Sequence, residues 1–177
     1  KKNNYDKDNI ELLYNRYQAR GIADESSRKA LQEIFEGKTV LLIAPGSSIN
    51  TEEDKINKAL NNSNTSVISI NFKPTNFHCD YIFVSNLRRY EDLKDEKGIK
   101  LIATSNIRND GINGYIVNYS DLLNNIEAVE DNAAMMLIKL LIDIDVRRVK
   151  IAGLDGYSHD LYDNFANREM AFIKSNT

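Results

Sequence analysis

The residues best suited to hold a ligand fall in short polar clusters, each following an apolar run. The sharpest is Ala44-Pro45-Gly46-Ser47-Ser48, directly after Thr39-Val40-Leu41-Leu42-Ile43. Gly46 lets backbone approach a ligand closely. Ser47 and Ser48 offer hydroxyls and amides at the start of a helix, where a phosphate or carboxylate is favoured. The loop has one glycine, so it is not the dinucleotide fingerprint G-x-G-x-x-G. No Gly-Lys-Ser/Thr follows, so it is not a P-loop. An ordinary strand-to-helix turn would use the same residues for geometry alone, and both readings stay open.

Other clusters end later runs. Asn71-Phe72-Lys73 closes the second, Ser85-Asn86 with Arg88 and Arg89 the third, and Gly153-Leu154-Asp155-Gly156-Tyr157 the last. An Asn amide can bond a base or sugar as donor and acceptor, or simply close its own loop. Lys73, Arg88 and Arg89 suit phosphates, or form a solvated face. Asp155, between two glycines, suits a ribose hydroxyl or shapes the turn. Asp131-Asn132 reads first as a helix cap and second as a ligand contact. The expected ligand-binding set is Pro45, Gly46, Ser47, Ser48, Asn71, Lys73, Ser85, Asn86, Arg89, Asn132 and Asp155.

Catalytic and metal chemistry find less support. His78-Cys79 reads as an incidental loop pair, because a Cys/His nucleophile needs a third, orienting group. His159 is a lone loop histidine, and the two histidines lack ligand spacing. The acids Glu52-Glu53-Asp54 and Asp95-Glu96 read as helix-dipole partners and surface. No cofactor follows from these residues.

The clusters need elements to position them. The continuous apolar run at 39–44 suits a parallel strand buried on both faces, and further strands are expected at 66–71, 81–85, 100–104, 114–119 and 148–153. Between them, helical patterns span 51–60, with Asn50 and Glu53 as a capping box, then 87–93 and 132–142. The last is apolar nearly all round and is expected to be buried. Ahead of the first strand, residues 9–20 and a second helix with Asp24 as cap and Gly37 as stop form a hairpin. The expectation is a three-layer Rossmann-like α/β fold with a mostly parallel sheet. Residues 1–37 form a helical linker or hairpin and residues 38–177 the α/β domain. In such sheets ligands bind beyond the carboxyl ends of the strands.

Composition bounds the class. The chain has 177 residues, 42% hydrophobic and 28% charged, as in a single globular domain. Its net charge of −3 argues against a nucleic-acid partner, where a basic face dominates affinity. No apolar run approaches the ~20 residues of a membrane span. The single thiol, Cys79, points to a reducing cytoplasm. The chain begins at Lys1 without Met, which reads as a trimmed start or a piece of something longer.

The succession Leu42-Ile43-Ala44-Pro45-Gly46-Ser47-Ser48-Ile49, Val67-Ile68-Ser69-Ile70-Asn71-Phe72, Asp80-Tyr81-Ile82-Phe83-Val84-Ser85-Asn86-Leu87-Arg88-Arg89-Tyr90 and Ile151-Ala152-Gly153-Leu154-Asp155-Gly156-Tyr157 resembles the C-terminal Rossmann-like domain of bacterial 4-hydroxy-2-oxovalerate aldolase-like proteins, of the HMG-CoA-lyase-like superfamily. Residues 10–18 resemble the linker after their TIM barrel. The resemblance implies that lyase chemistry belongs to a barrel, which this sequence does not contain. More distantly, the chain is similar to bacterial CMP-sialic-acid-dependent sialyltransferases. That similarity implies matches at Gly46, Ser48, Asn71 and Asn86, and at the Gly153-Leu154-Asp155 turn. Pro45 and Ser47 depart from that family, as does Asp131-Asn132-Ala133. What carries over is a nucleotide-shaped cleft.

The expected function is therefore a domain binding a nucleotide, nucleotide sugar or other anionic metabolite, attached to an aldolase-like protein and not catalytic alone. The alternatives are a glycosyltransferase-like enzyme, with His78, His159 or Asp155 as base, and a structural module. In the last case a homo-oligomer would form through Tyr14, Tyr17 and Phe35 of the hairpin.

Overall fold

Six segments pair in register as one sheet: β1 (Thr39–Ile43), β2 (Thr65–Ile70), β3 (Tyr81–Val84), β4 (Lys100–Thr104), β5 (Gly114–Val117) and β6 (Arg148–Ala152). The structure, a computed structural model, describes residues 21–107, 111–124 and 131–155. The helix expected over 9–20 lies outside these residues, as do Gly156, Tyr157 and His159. The strand order is β5-β4-β3-β2-β1-β6, and every neighbouring pair is parallel. The α/β Rossmann-like expectation is met, with a sheet parallel throughout.

The helices are α1 (Glu25–Phe35), α2 (Ser48–Thr51), α3 (Glu53–Leu60), α4 (Leu87–Leu93), α5 (Tyr119–Leu122) and α6 (Ala133–Asp143). Side chains alternate between the sheet's faces. Val40, Leu42, Ile68, Phe83 and Ile102 meet α1, α5 and α6 on one face. Leu41, Ile43, Val67, Ile82 and Leu101 meet α3 and α4 on the other. Right-handed crossovers explain the split. The chain moves one way from β1 to β5, then back past β1 to β6, so the helix leading into β6 lies on the opposite face.

Local expectations are refined in four places. The helix expected over 51–60 is two helices broken at Glu52, and Asn50 lies inside α2 and does not cap α3. Asp24 occupies the N-cap of α1 but makes no side-chain cap bond. Its buried carboxylate accepts from Arg28 Nε at 2.8 Å and from the backbone N–H of Asn118, after β5, at 2.7 Å. The fifth strand stops at Val117, and Tyr119 opens α5. Finally, α6 buries Ala134, Met136, Leu137, Leu140 and Leu141, but Met135 and Ile142 are 45% and 68% exposed. Its apolar surface exceeds what one sheet face covers.

Candidate functional site

Strand order reverses between β1 and β6. The chain leaves β1 toward β2 on one side and reaches β6 on the other. This is the topological switch point, where open α/β sheets bind ligands. The loops after β1 and β6 meet there. Ala44 N–H donates to Ala152 C=O, and Gly46 N–H to Gly153 C=O, each at 2.9 Å. A Cβ on Gly46 would lie 2.2 Å from the Gly153 carbonyl oxygen and 2.7 Å from the Asp155 carboxyl carbon. One on Gly153 would lie 2.1 Å from the Ala44 oxygen, at a φ of +73°. The close approach that Gly46 permits is thus made first by the chain's own second loop.

Asp155 completes this contact. Its Oδ2 accepts from the Ser48 backbone N–H at 2.8 Å and from Ser47 Oγ at 3.2 Å, and its Oδ1 accepts from Ser48 Oγ. The donors expected to hold a ligand anion therefore hold an internal one. The Ser48 hydroxyl, followed by the Ser48 amide, keeps the Asp155 carboxyl below the usual aspartate range. Because the folded-state value is below the unfolded one, near 3.9, this contribution is complete above that pH. It is lost as pH falls through the folded value. The expected result is a Ser47/Ser48 loop whose amide exchange and chemical shifts hold steady at neutral pH and change below about pH 4. An Asp155→Asn variant should show no such transition at these amides.

The remaining sequence-selected residues divide by what they bond. Asn71 follows β2 with a left-handed φ of 62°, a conformation Asn tolerates better than most residues. Among the described residues its buried Oδ1 has no hydrogen-bond partner. Asn86 and Asn132 are N-caps. Asn86 Oδ1 accepts from Arg88 and Arg89 N–H at 3.0 and 3.4 Å, and Asn132 Oδ1 from Ala134 and Met135 N–H at 3.0 and 3.1 Å. Both capping oxygens are therefore engaged. Lys73 turns to Glu96, 2.6 Å away, in the connection from α4 to β4. The carbonyl of the half-buried Ser85 accepts from Asn106 Nδ2 at 3.1 Å. Pro45 and Arg89 are exposed, as is Arg88. Among the described residues neither arginine has a carboxylate within ion-pair distance.

So Pro45, Gly46, Ser47, Ser48 and Asp155 come together, with Asn71 one strand over and Arg88 and Arg89 after the next. His78 and Cys79 precede β3, and Cys79 Sγ accepts from Ser69 Oγ of β2 at 3.8 Å. His78 is an exposed partner of Asp80 at 3.3 Å. Cys79 is buried, and burial pushes its thiol up, the reverse of what a nucleophile needs. Of the three bases considered from the sequence, Asp155 is the one placed at the crevice among the described residues. No group of three or more His, Cys, Asp or Glu residues in metal-holding geometry occurs among the described residues, and no described helix is long and apolar enough to cross a membrane. Phe35, expected at an oligomer contact, is buried in the sheet's core.

Two clusters escaped the sequence reading. Thr104, the last residue of β4, and Asn106, just after it, bond each other, and Asn106 reaches the β3 end at the Ser85 carbonyl. Asp24 and Arg28 tie α1 to the end of β5 and to Asp143 of α6. The Asp24/Arg28 pair was visible as an i,i+4 spacing, but its distant partners were not. Comparison with protein-family models, with curated proteins and with solved structures finds no match for this chain.

Proposed function

We propose that this domain binds a small hydroxylated anion, a nucleotide, a nucleotide sugar or a similar metabolite, across the ends of β6, β1, β2 and β3. In this reading it is a cytoplasmic binding module, and any aldolase chemistry resides in an attached domain. One observation carries the reading: a fixed, ionised carboxylate, Asp155, stands at the switch point, and its partners among the described residues are Ser47 and Ser48 after β1. A carboxylate has about four acceptor sites, so Asp155 can take a ligand hydroxyl while keeping Ser47 and Ser48. It also repels a phosphate from the β1 loop, contrary to the expectation from the loop alone. The phosphate is instead drawn toward Arg88 and Arg89, two strands away. At about 4.8 Å per strand this is roughly 10 Å, a span that a nucleoside phosphate can bridge. Asn71, between them, has an amide oxygen with no partner among the described residues, and a ligand N–H or O–H would relieve that cost.

The test is thermal unfolding of the whole chain against nucleotides, nucleotide sugars and phosphorylated or carboxylated sugars. A ligand at 100 times its Kd adds about 2.7 kcal/mol, which raises the Tm by roughly 5–10 °C at this size. Asp155→Asn is expected to weaken hydroxyl-bearing ligands, and Arg89→Ala to weaken the phosphorylated ones and flatten the salt dependence. A panel that leaves the Tm unmoved at millimolar concentration counts against the reading.

A further inference from the structure

β6 differs from the other strands in its surroundings. Its residues Arg148, Val149, Lys150 and Ile151 are all exposed, although β1, its neighbour, is buried from end to end. Among the described residues β6 pairs with β1 alone and nothing pairs with its other edge. Ala152 turns its carbonyl to β1, accepting from Ala44 N–H at 2.9 Å. Backbone groups alternate from edge to edge along a strand, so Val149 and Ile151 turn their N–H and C=O groups outward. Such a row is a template for another strand.

The side chains say which kind of strand. By register, Val149 and Ile151 share a face with Val40 and Leu42, the face that packs against α6. Arg148 and Lys150 share the other face with Thr39 and Leu41. There a groove of about 950 Å³ runs between β6 and α3, with Lys58 on its wall. Among the described residues none of Arg148, Lys150 and Lys58 has a carboxylate within ion-pair distance. Edge cations often serve only to block self-association. Here they alternate with apolar residues, in a chain whose net charge is −3. They repel a second copy of β6 and suit an acidic strand, since opposite charges across a strand pair attract and like charges repel.

We propose that the outer edge of β6 accepts an extended segment of a partner protein in which acidic side chains alternate with apolar ones. The segment adds a seventh strand by main-chain hydrogen bonds to Val149 and Ile151. Its acids face Arg148 and Lys150, and its apolar side chains extend the surface of Val149 and Ile151.

The probe is an end-capped, fluorescein-labelled peptide of about eight residues alternating Glu and Val, long enough to match a typical strand. Its binding to the full chain is read by fluorescence anisotropy. Saturable binding is expected, with new exchange protection at the Val149 and Ile151 amides. The exposed-site variant Arg148→Glu/Lys150→Glu, with its fold checked by circular dichroism, is expected to bind at least about tenfold more weakly. The same peptide N-methylated at every backbone amide keeps its charge and is expected not to bind. Equal binding of the N-methylated peptide, or of a Lys/Val peptide, overturns the proposal, as does no binding at millimolar concentration. So does protection of the Val149 and Ile151 amides before peptide is added, which would assign the edge to the chain's own residues. A dimer that the peptide disperses would assign it to a second copy and equally overturn the proposal.

Discussion

Replacing Asp24 with Ala is expected to lower the Tm by about 6–12 °C, read by circular dichroism. The buried carboxylate holds the Arg28 guanidinium and the Asn118 amide together. These lie on α1 and just past β5, so the pair fixes the helix to the sheet. Removing one partner of a buried pair costs about 3–5 kcal/mol. Arg28 is not left without a counter-charge, because Asp143 remains at 3.2 Å. The cost therefore falls near the lower bound, about 3 kcal/mol, and each kcal/mol moves the Tm by about 2–4 °C at this chain length. Asp24→Asn retains an acceptor for the Asn118 N–H, so it should lose less. An Asp24→Ala variant that melts like the parent would show that α1 is held by Leu31 and Phe35 alone.

Gly153→Ala is the second large effect, and it bears on the site as well as on stability. The left-handed φ of +73° costs an Ala roughly 1–2 kcal/mol. The new Cβ also meets the Ala44 carbonyl oxygen at 2.1 Å, so the two loops must separate. The bonds from Ala44 and Gly46 to β6 and its loop and the Asp155 contacts lie in the path of that movement. Gly37 isolates the backbone part: its φ is +70°, yet nothing lies within 4 Å of its added Cβ. Gly37→Ala should cost about 1–2 kcal/mol and leave the crevice unchanged. Gly153→Ala should cost more and also shift the Ser47 and Ser48 amides. Equal losses in the two variants, with the Ser48 amide unmoved, would mean that the loop contact is unimportant.

Much of this fold was legible because a parallel strand covered on both faces must be apolar almost continuously. Runs such as Val40–Ile43 and Leu101–Ala103 have few alternatives in a chain of this length. Strand order was less legible, since it is decided by crossover geometry and packing. The exposure of Val149, Ile151 and Ile142 depends on that order, so they read as core residues. At the site, residue types were visible but their partners were not. Asn86 and Asn132 carry the ligand-friendly amide, yet each lies just before a helix whose first N–H groups need an acceptor. That local demand is met first. Lys73 follows β2 but reaches Glu96, 23 residues later. Asp155 lies 108 residues beyond Ser47. Only the switch point brings them together, and no local pattern encodes that contact.

The most direct test of the ligand crevice is amide chemical-shift mapping with the best ligand from the thermal panel. The largest changes are expected on Gly46, Ser47, Ser48, Asn71, Gly153 and Asp155, with smaller ones at Arg88 and Arg89. The hollow lined by Phe35, Gly37, Ile144 and Arg147, at the other end of the strands, is expected to stay unmoved. Changes centred on that hollow, with the β1 and β6 loops unaffected, would contradict the account.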